Sequence, residues 1–120
     1  MDITERAKNI KCLLSDVDGT LTKGIFYFST KERPKGISVR DLLGISFLKH
    51  VGIKFGIITG EDASQTKELA KMTGAHFFFP DCDNKAKALH EILDKSGLQA
   101  KDIAYIGDDI NDIPVLKKVK

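Results

Sequence analysis

Short apolar runs alternate with helix-like stretches along the whole chain. The runs are Cys12-Leu13-Leu14, Ile53 to Thr59, His76 to Phe79 and Ile103-Ala104-Tyr105-Ile106. Each is short enough to predict a strand. The intervening stretches predict helices at about 42–50, 63–72, 86–95 and 113–119. Asp62 can cap the second of these helices, with Gln65 three residues on reaching back. Gly74 follows that helix, where left-handed backbone costs glycine little. Strands alternating with helices imply an α/β fold with a mainly parallel, Rossmann-like sheet. One segment fits neither pattern. Ile25 to Thr30 reads as a strand, Lys31 to Gly36 as a turn, and Ile37 to Val39 as a return, predicting a β-hairpin flap at about 24–40.

The chain has 120 residues, 42% hydrophobic and 30% charged, which suits a single domain over residues 1–120. A net charge of +2, with lysines and arginines scattered, gives no sign of a nucleic-acid partner. No apolar run approaches the ~18 residues of a membrane span. Residues Met1 to Lys11 mix Asp2, Glu5, Arg6 and Lys8, unlike a signal peptide, so a cytoplasmic location is expected. Two cysteines, Cys12 and Cys82, outside any Cys-x-x-Cys pair, argue against a disulfide framework and against tetrahedral zinc.

The chemistry gathers after the strands. The first runs into Asp16-Val17-Asp18-Gly19-Thr20, the second into Thr59-Gly60-Glu61, and the fourth into Gly107-Asp108-Asp109-Ile110-Asn111-Asp112. Ligands of open α/β sheets bind beyond the carboxyl ends of the strands. With the first strand between the second and fourth, these segments share one crevice and crowd several carboxylates together. Such repulsion calls for a cation, and all-oxygen donors favour Mg²⁺. Lys85, at the start of the third helix, can supply a compensating charge. Asp16 and Asp18 can divide a nucleophile's role and a proton donor's role between them. Gly19 permits close approach of an anion. A calcium loop is excluded, because its sixth and twelfth positions would be Leu21 and Tyr27. His50, His76 and His90 lack ligand spacing, Asp81 and Asp83 read as turn and helix-cap residues, and no Walker loop is present. Ser15 and Cys82 have no histidine partner for a nucleophilic triad.

Together, Asp16-x-Asp18-Gly19-Thr20, Thr59-Gly60, Lys85 and Gly107-Asp108-Asp109-x-x-Asp112 resemble the haloacid dehalogenase superfamily of phosphohydrolases. The segment Val39-Arg40-Asp41-x-x-Gly44-Ile45 resembles its capless subgroup, which dephosphorylates 3-deoxy-octulosonate 8-phosphate and nonulosonate 9-phosphates. The resemblance implies that Asp16 attacks phosphorus and that Asp18 is the acid and base. It implies Mg²⁺ on Asp16, the Asp18 carbonyl and Asp108, with Asp109 and Asp112 orienting the metal shell and Lys85. By the same resemblance Thr59 and Lys85 would hold phosphoryl oxygens, and Gly60, Glu61, Arg40 and Asp41 would contact a phosphorylated small-molecule substrate. It further implies a homotetramer. Octulosonate enzymes usually read Thr-Gly-Arg where this chain has Glu61, which is closer to the nonulosonate enzymes. Basic positions of the octulosonate enzymes fall on Leu69 and Ser46. Family members also continue past Lys120 through a further strand and a glycine-rich tail. An alternative is a module for oligomerisation associated with a sugar-acid cytidylyltransferase.

Overall fold

The computed structural model describes residues 2–24 and 36–119, apart from the Gln65 side chain. Most of the flap expected at about 24–40 therefore lies outside the described residues, as does the Gln65 half of the expected helix cap.

Among the described residues four strands form one parallel sheet: β1 (Cys12–Ser15), β2 (Lys54–Ile58), β3 (Phe77–Phe79) and β4 (Ile103–Ile106), in the order β3-β2-β1-β4. Among the described residues five α-helices accompany them: α1 (Ile3–Lys8), α2 (Val39–His50), α3 (Ala63–Thr73), α4 (Lys85–Ser96) and α5 (Ile113–Lys118). The helical crossovers α2, α3 and α4 make the parallel pairing possible, because parallel strands cannot be joined by tight hairpins. Ser15 stands level with Ile57 on one side and Ile106 on the other, so three chains leave the sheet side by side at the same edge.

The central strands β1 and β2 are largely buried on both faces, which explains their continuous apolar character. One face packs Cys12, Leu14, Ile58, Ile103 and Tyr105 against Leu89, Ile92 and Val115. The other packs Phe55 and Ile57 against Ile45, Val17 and Leu21. Gly56 leaves room in the first of these layers: a Cβ there would stand 2.6 Å from Leu14 Cδ2. β3 is an edge strand, and Phe77, Phe78 and Phe79 are half-buried.

Two local readings need correction. Val39 is not a returning strand of the flap. It opens α2, with the Ser38 hydroxyl accepting the Arg40 N–H at 3.2 Å. Ser38 directly precedes the helical stretch as its N-cap, and capping outweighs the β preference of Ile37 and Val39. Likewise Asn84, rather than Asp83, caps α4, its side chain accepting the Lys87 N–H. α1 had no counterpart in the strand and helix pattern. It is a short exposed helix held by the Asp2 carboxylate, which accepts the Glu5 N–H at 2.8 Å.

Candidate active site

β1 ends at Ser15, and the chain enters the loop Asp16 to Thr20 with its backbone still tied to the sheet. The Asp16 N–H donates to the Ile106 carbonyl at 2.9 Å, and the Ser15 hydroxyl donates to the Asp16 carbonyl at 2.7 Å. Asp16 is thus fixed at the sheet edge and is 7% exposed. Lys85 is the first residue of α4 and is 2% exposed. Its ammonium donates to Asp16 Oδ1 at 3.0 Å and to Asp112 Oδ1 at 2.8 Å. A lysine is almost never so buried unless paired, and here two carboxylates pair with it.

Asp112 is fully buried. Its Oδ1 also accepts the Tyr105 hydroxyl. Its Oδ2 accepts the backbone N–H groups of Asp108 and Asp109, each at 3.0 Å. Gly107 makes this turn possible, because a Cβ there would overlap the Asp112 carboxylate. Asp109 spends its own carboxylate on the Ile110 N–H at 2.6 Å. Asp108 is exposed, and its carboxylate sits against Gly19, whose φ is +78°.

Charges in this cluster act on one another. Burial opposes protonation of Lys85, but its hydrogen bonds to Asp112 and Asp16 outweigh that and raise its pKa. Burial also opposes ionisation of Asp112, yet the bonds from Lys85 and Tyr105 hold its carboxyl below the usual range. For Asp16 burial wins, and its carboxyl is pushed up despite Lys85. Burial and the Asp112 charge push the Tyr105 phenol far above its ordinary value, so it remains a donor.

Carboxylate oxygens of Asp16, Asp108 and Asp112 lie within 4.8 Å of one another. Three carboxylates against one ammonium leave two negative charges uncompensated, the charge of one Mg²⁺. The donors are all hard oxygens, which also fits that ion. Among the three, Asp16 and Asp108 have the freer lone pairs, since Asp112 is already bonded at both oxygens.

Thr59 follows β2 and is buried. Its hydroxyl oxygen accepts the Glu61 N–H at 3.1 Å, which leaves the hydroxyl proton to be donated. Gly60 is exposed and Glu61 half-buried beside it. Asp18 is half-buried and accepts the Thr22 hydroxyl at 3.1 Å. The structure thus brings Asp16, Lys85, Asp108 and Asp112 into one cluster, with Asp18 and Thr59 on the adjoining loops. Arg40 and Asp41 are exposed on the first turn of α2. Among the described residues, no hydrogen bond or ion pair joins either side chain to the carboxylates. The three histidines are exposed, and none approaches the cluster. Tyr105 was missed as a site residue. The available signal was a tyrosine in a buried parallel strand, whose hydroxyl must find a partner.

Residues 38–120 match the family model described as haloacid dehalogenase-like hydrolase. The chain belongs to the haloacid dehalogenase-like hydrolases. Within that family it is similar to the 3-deoxy-D-manno-octulosonate 8-phosphate phosphatase of Yersinia pestis, with 37% identity over 98% of this chain and 64% of that protein. The crystal structure of the Yersinia pestis phosphatase superposes with a TM-score of 0.93 at 36% identity, covering 98% of this chain and 64% of that one. A second structure is the Moraxella catarrhalis phosphatase of the same name, in complex with magnesium ion, phosphate ion and a KDO molecule. It gives a TM-score of 0.90 at 34% identity, covering 96% of this chain and 67% of that one. The chain spans just under two-thirds of the length of the Yersinia pestis protein. The four-stranded parallel sheet is the α/β haloacid dehalogenase fold expected from the sequence. Among the described residues no helix is long and apolar enough to cross a membrane.

Proposed function

We propose that this domain is a Mg²⁺-dependent phosphomonoester hydrolase that works through an aspartyl-phosphate on Asp16. The observation that carries the reading is Lys85 bridging Asp16 and Asp112, whose carboxylates cluster with the exposed carboxylate of Asp108. A buried ammonium between two carboxylates has no evident use in folding that an apolar pair would not serve at lower cost. It does serve a site that must receive a dianionic phosphate.

Asp16 Oδ attacks phosphorus, and the bond from phosphorus to the ester oxygen breaks. Asp18 gives its proton to the departing alkoxide. Water then attacks the phosphorus of the acyl phosphate, its proton passes to Asp18, and phosphate leaves with Asp16 restored. Lys85 and Thr59 donate hydrogen bonds to the phosphoryl oxygens through both steps, and the Gly60 backbone keeps that side open. A divalent cation held by Asp16, the Asp18 carbonyl and Asp108 supplies charge neutralisation for the phosphoryl group when bound. Asp109 holds the turn on which Asp108 stands.

The substrate proposed is a phosphorylated 3-deoxy-2-keto sugar acid. Named relatives with 34–37% identity over 98% of this chain support the octulosonate 8-phosphate. Glu61 in place of arginine supports a nonulosonate 9-phosphate, with Arg40 and Asp41 recognising the remainder of the sugar. The proposal places the domain in the cytoplasm as a homo-oligomer, a tetramer. Its support is apolar exposure at Val39, Leu43 and Phe47 along α2.

The test is a panel of sugar-acid, hexose and nucleotide phosphates assayed with Mg²⁺ and with chelator, alongside sedimentation at micromolar concentration. Sugar-acid phosphates should give the highest kcat/KM and chelator should stop turnover. A hexose or nucleotide phosphate at the top of the panel would overturn the substrate, turnover indifferent to chelator would overturn the cation, and a monomer with full turnover would overturn the assembly.

A further inference from the structure

We propose that Tyr105 is a positioning residue of this site, fixing Asp112 and, through Asp112, the place of the Lys85 ammonium. The inference rests on the phosphohydrolase reading above and deepens it.

The geometry is a closed set of bonds. Asp112 Oδ2 is held by two backbone N–H groups, those of Asp108 and Asp109, which cannot move without the turn. Asp112 Oδ1 is shared by Lys85 and Tyr105. The carboxylate therefore has a bond at each of its main acceptor directions. Tyr105 is the member that comes from the sheet itself. It lies on β4 level with Leu14 of β1, and its ring packs in the core cluster with Leu14, Leu89 and Val115. It ties the Asp112 carboxylate to the rigid centre of the fold, as sites held on strands require for accurate placement.

Lys85 depends on that tie. A lysine ammonium has three donors on a flexible stem. Asp16 and Asp112 take two of them, which aims the third. Removing the Tyr105 hydroxyl leaves a buried lone pair on Asp112 Oδ1 unmatched. The carboxylate is then free to turn, and the ammonium turns with it.

The bonds on Asp112, three of which survive without the hydroxyl, separate two duties within one acidic cluster. An Asp112 oxygen lies within 4.8 Å of oxygens of both Asp16 and Asp108, close enough to join them on a cation. It is kept from doing so because its lone pairs are already used. Asp16 and Asp108 are thereby left to the cation and Asp112 to the lysine.

Tyr105→Phe keeps the ring and deletes only the hydroxyl. Its kcat should fall about tenfold to a hundredfold, the scale of a misplaced catalytic group. KM, and Mg²⁺ affinity measured by calorimetry on the substrate-free chain, should each stay within about twofold. The ¹⁵N-ammonium resonance of Lys85 should be resolved in the parent protein and broadened beyond detection in Tyr105→Phe. A kcat equal to the parent's would overturn the proposal. So would a kcat loss matched by an equal loss of Mg²⁺ affinity, which is what general loosening produces. If the parent protein hydrolyses no phosphomonoester, the phosphohydrolase reading fails and the ammonium resonance alone decides. An unchanged resonance in Tyr105→Phe overturns the positioning role, and its loss sustains it.

Discussion

The carboxylate of Asp108 lies in the space that a side chain at Gly19 would fill. The two residues sit on different loops, one after β1 and one after β4, and meet only because those strands are neighbours. Gly19 also holds a φ of +78°, a conformation that costs an L-residue about 1–2 kcal/mol. Gly19→Ala therefore carries two penalties. The chain should unfold at lower denaturant concentration, and Mg²⁺ binding by calorimetry should weaken at least about tenfold as Asp108 is displaced. Parent-like Mg²⁺ affinity in this variant would mean that Asp108 has another position from which to bind.

Asp16→Asn tests the nucleophile. An amide cannot form the acyl phosphate, so turnover should disappear while the fold persists. Acid-quenched parent protein should carry a phosphorylated Asp16 peptide by mass spectrometry, and the variant none. Asp18→Asn should slow both proton transfers by about a hundredfold and retain most Mg²⁺ affinity, because its backbone carbonyl is unchanged. If Asp18→Asn lost as much Mg²⁺ affinity as Asp108→Asn, the assignment of the Asp18 carbonyl would fall.

The sheet and the positions of Asp16, Lys85 and Asp108 are legible in the sequence for a physical reason. Buried parallel strands are continuous apolar runs, and whatever follows them is brought to one edge. The strand order puts the loops after β2, β1 and β4 together, so three separated polar segments become one crevice. Lys85 was legible because a lysine opening a helix beside such a crevice has carboxylates to meet. Tyr105 and the split between Asp112 and Asp109 were not legible. Both depend on which side chain finishes a hydrogen-bond network, and neither periodicity nor motif spacing reports that. The start of α2 at Val39 was obscured because β-branched residues flank its serine cap.

Acid should expose Asp112. Its folded pKa is depressed, chiefly because hydrogen bonds from Lys85 and Tyr105 outweigh its burial. A depressed carboxyl contributes stability that is present above its unfolded value near 3.9 and lost as pH falls through the folded value. Asp112→Asn should be less stable than the parent at neutral pH, with the gap closing as pH falls below about 4. Urea midpoints between pH 3 and 7 measure this. A gap that stayed constant across that range would show that Asp112 contributes through packing alone.

Alkali should act through Cys12. Burial pushes its thiol up from 9.0 to about 11, with Lys54 pulling slightly the other way. Between those values the unfolded chain ionises Cys12 and the folded chain does not, so the folded state binds more protons and stability must fall as pH rises. Tyr105 and Lys85, both raised, add to the same trend above pH 10. Cys12→Ala forfeits some packing in the sheet centre, but it removes the first part of this slope, about 2 kcal/mol between pH 9 and 11. The folded thiol should also resist alkylation at pH 8, because the thiolate is the nucleophile and Cys12 is fully buried. Half-buried Cys82 should react first in the native protein, as read by mass spectrometry after a short iodoacetamide pulse. Equal labelling of the two cysteines, or an alkaline stability profile unchanged by Cys12→Ala, would contradict a sealed thiol at the centre of the sheet.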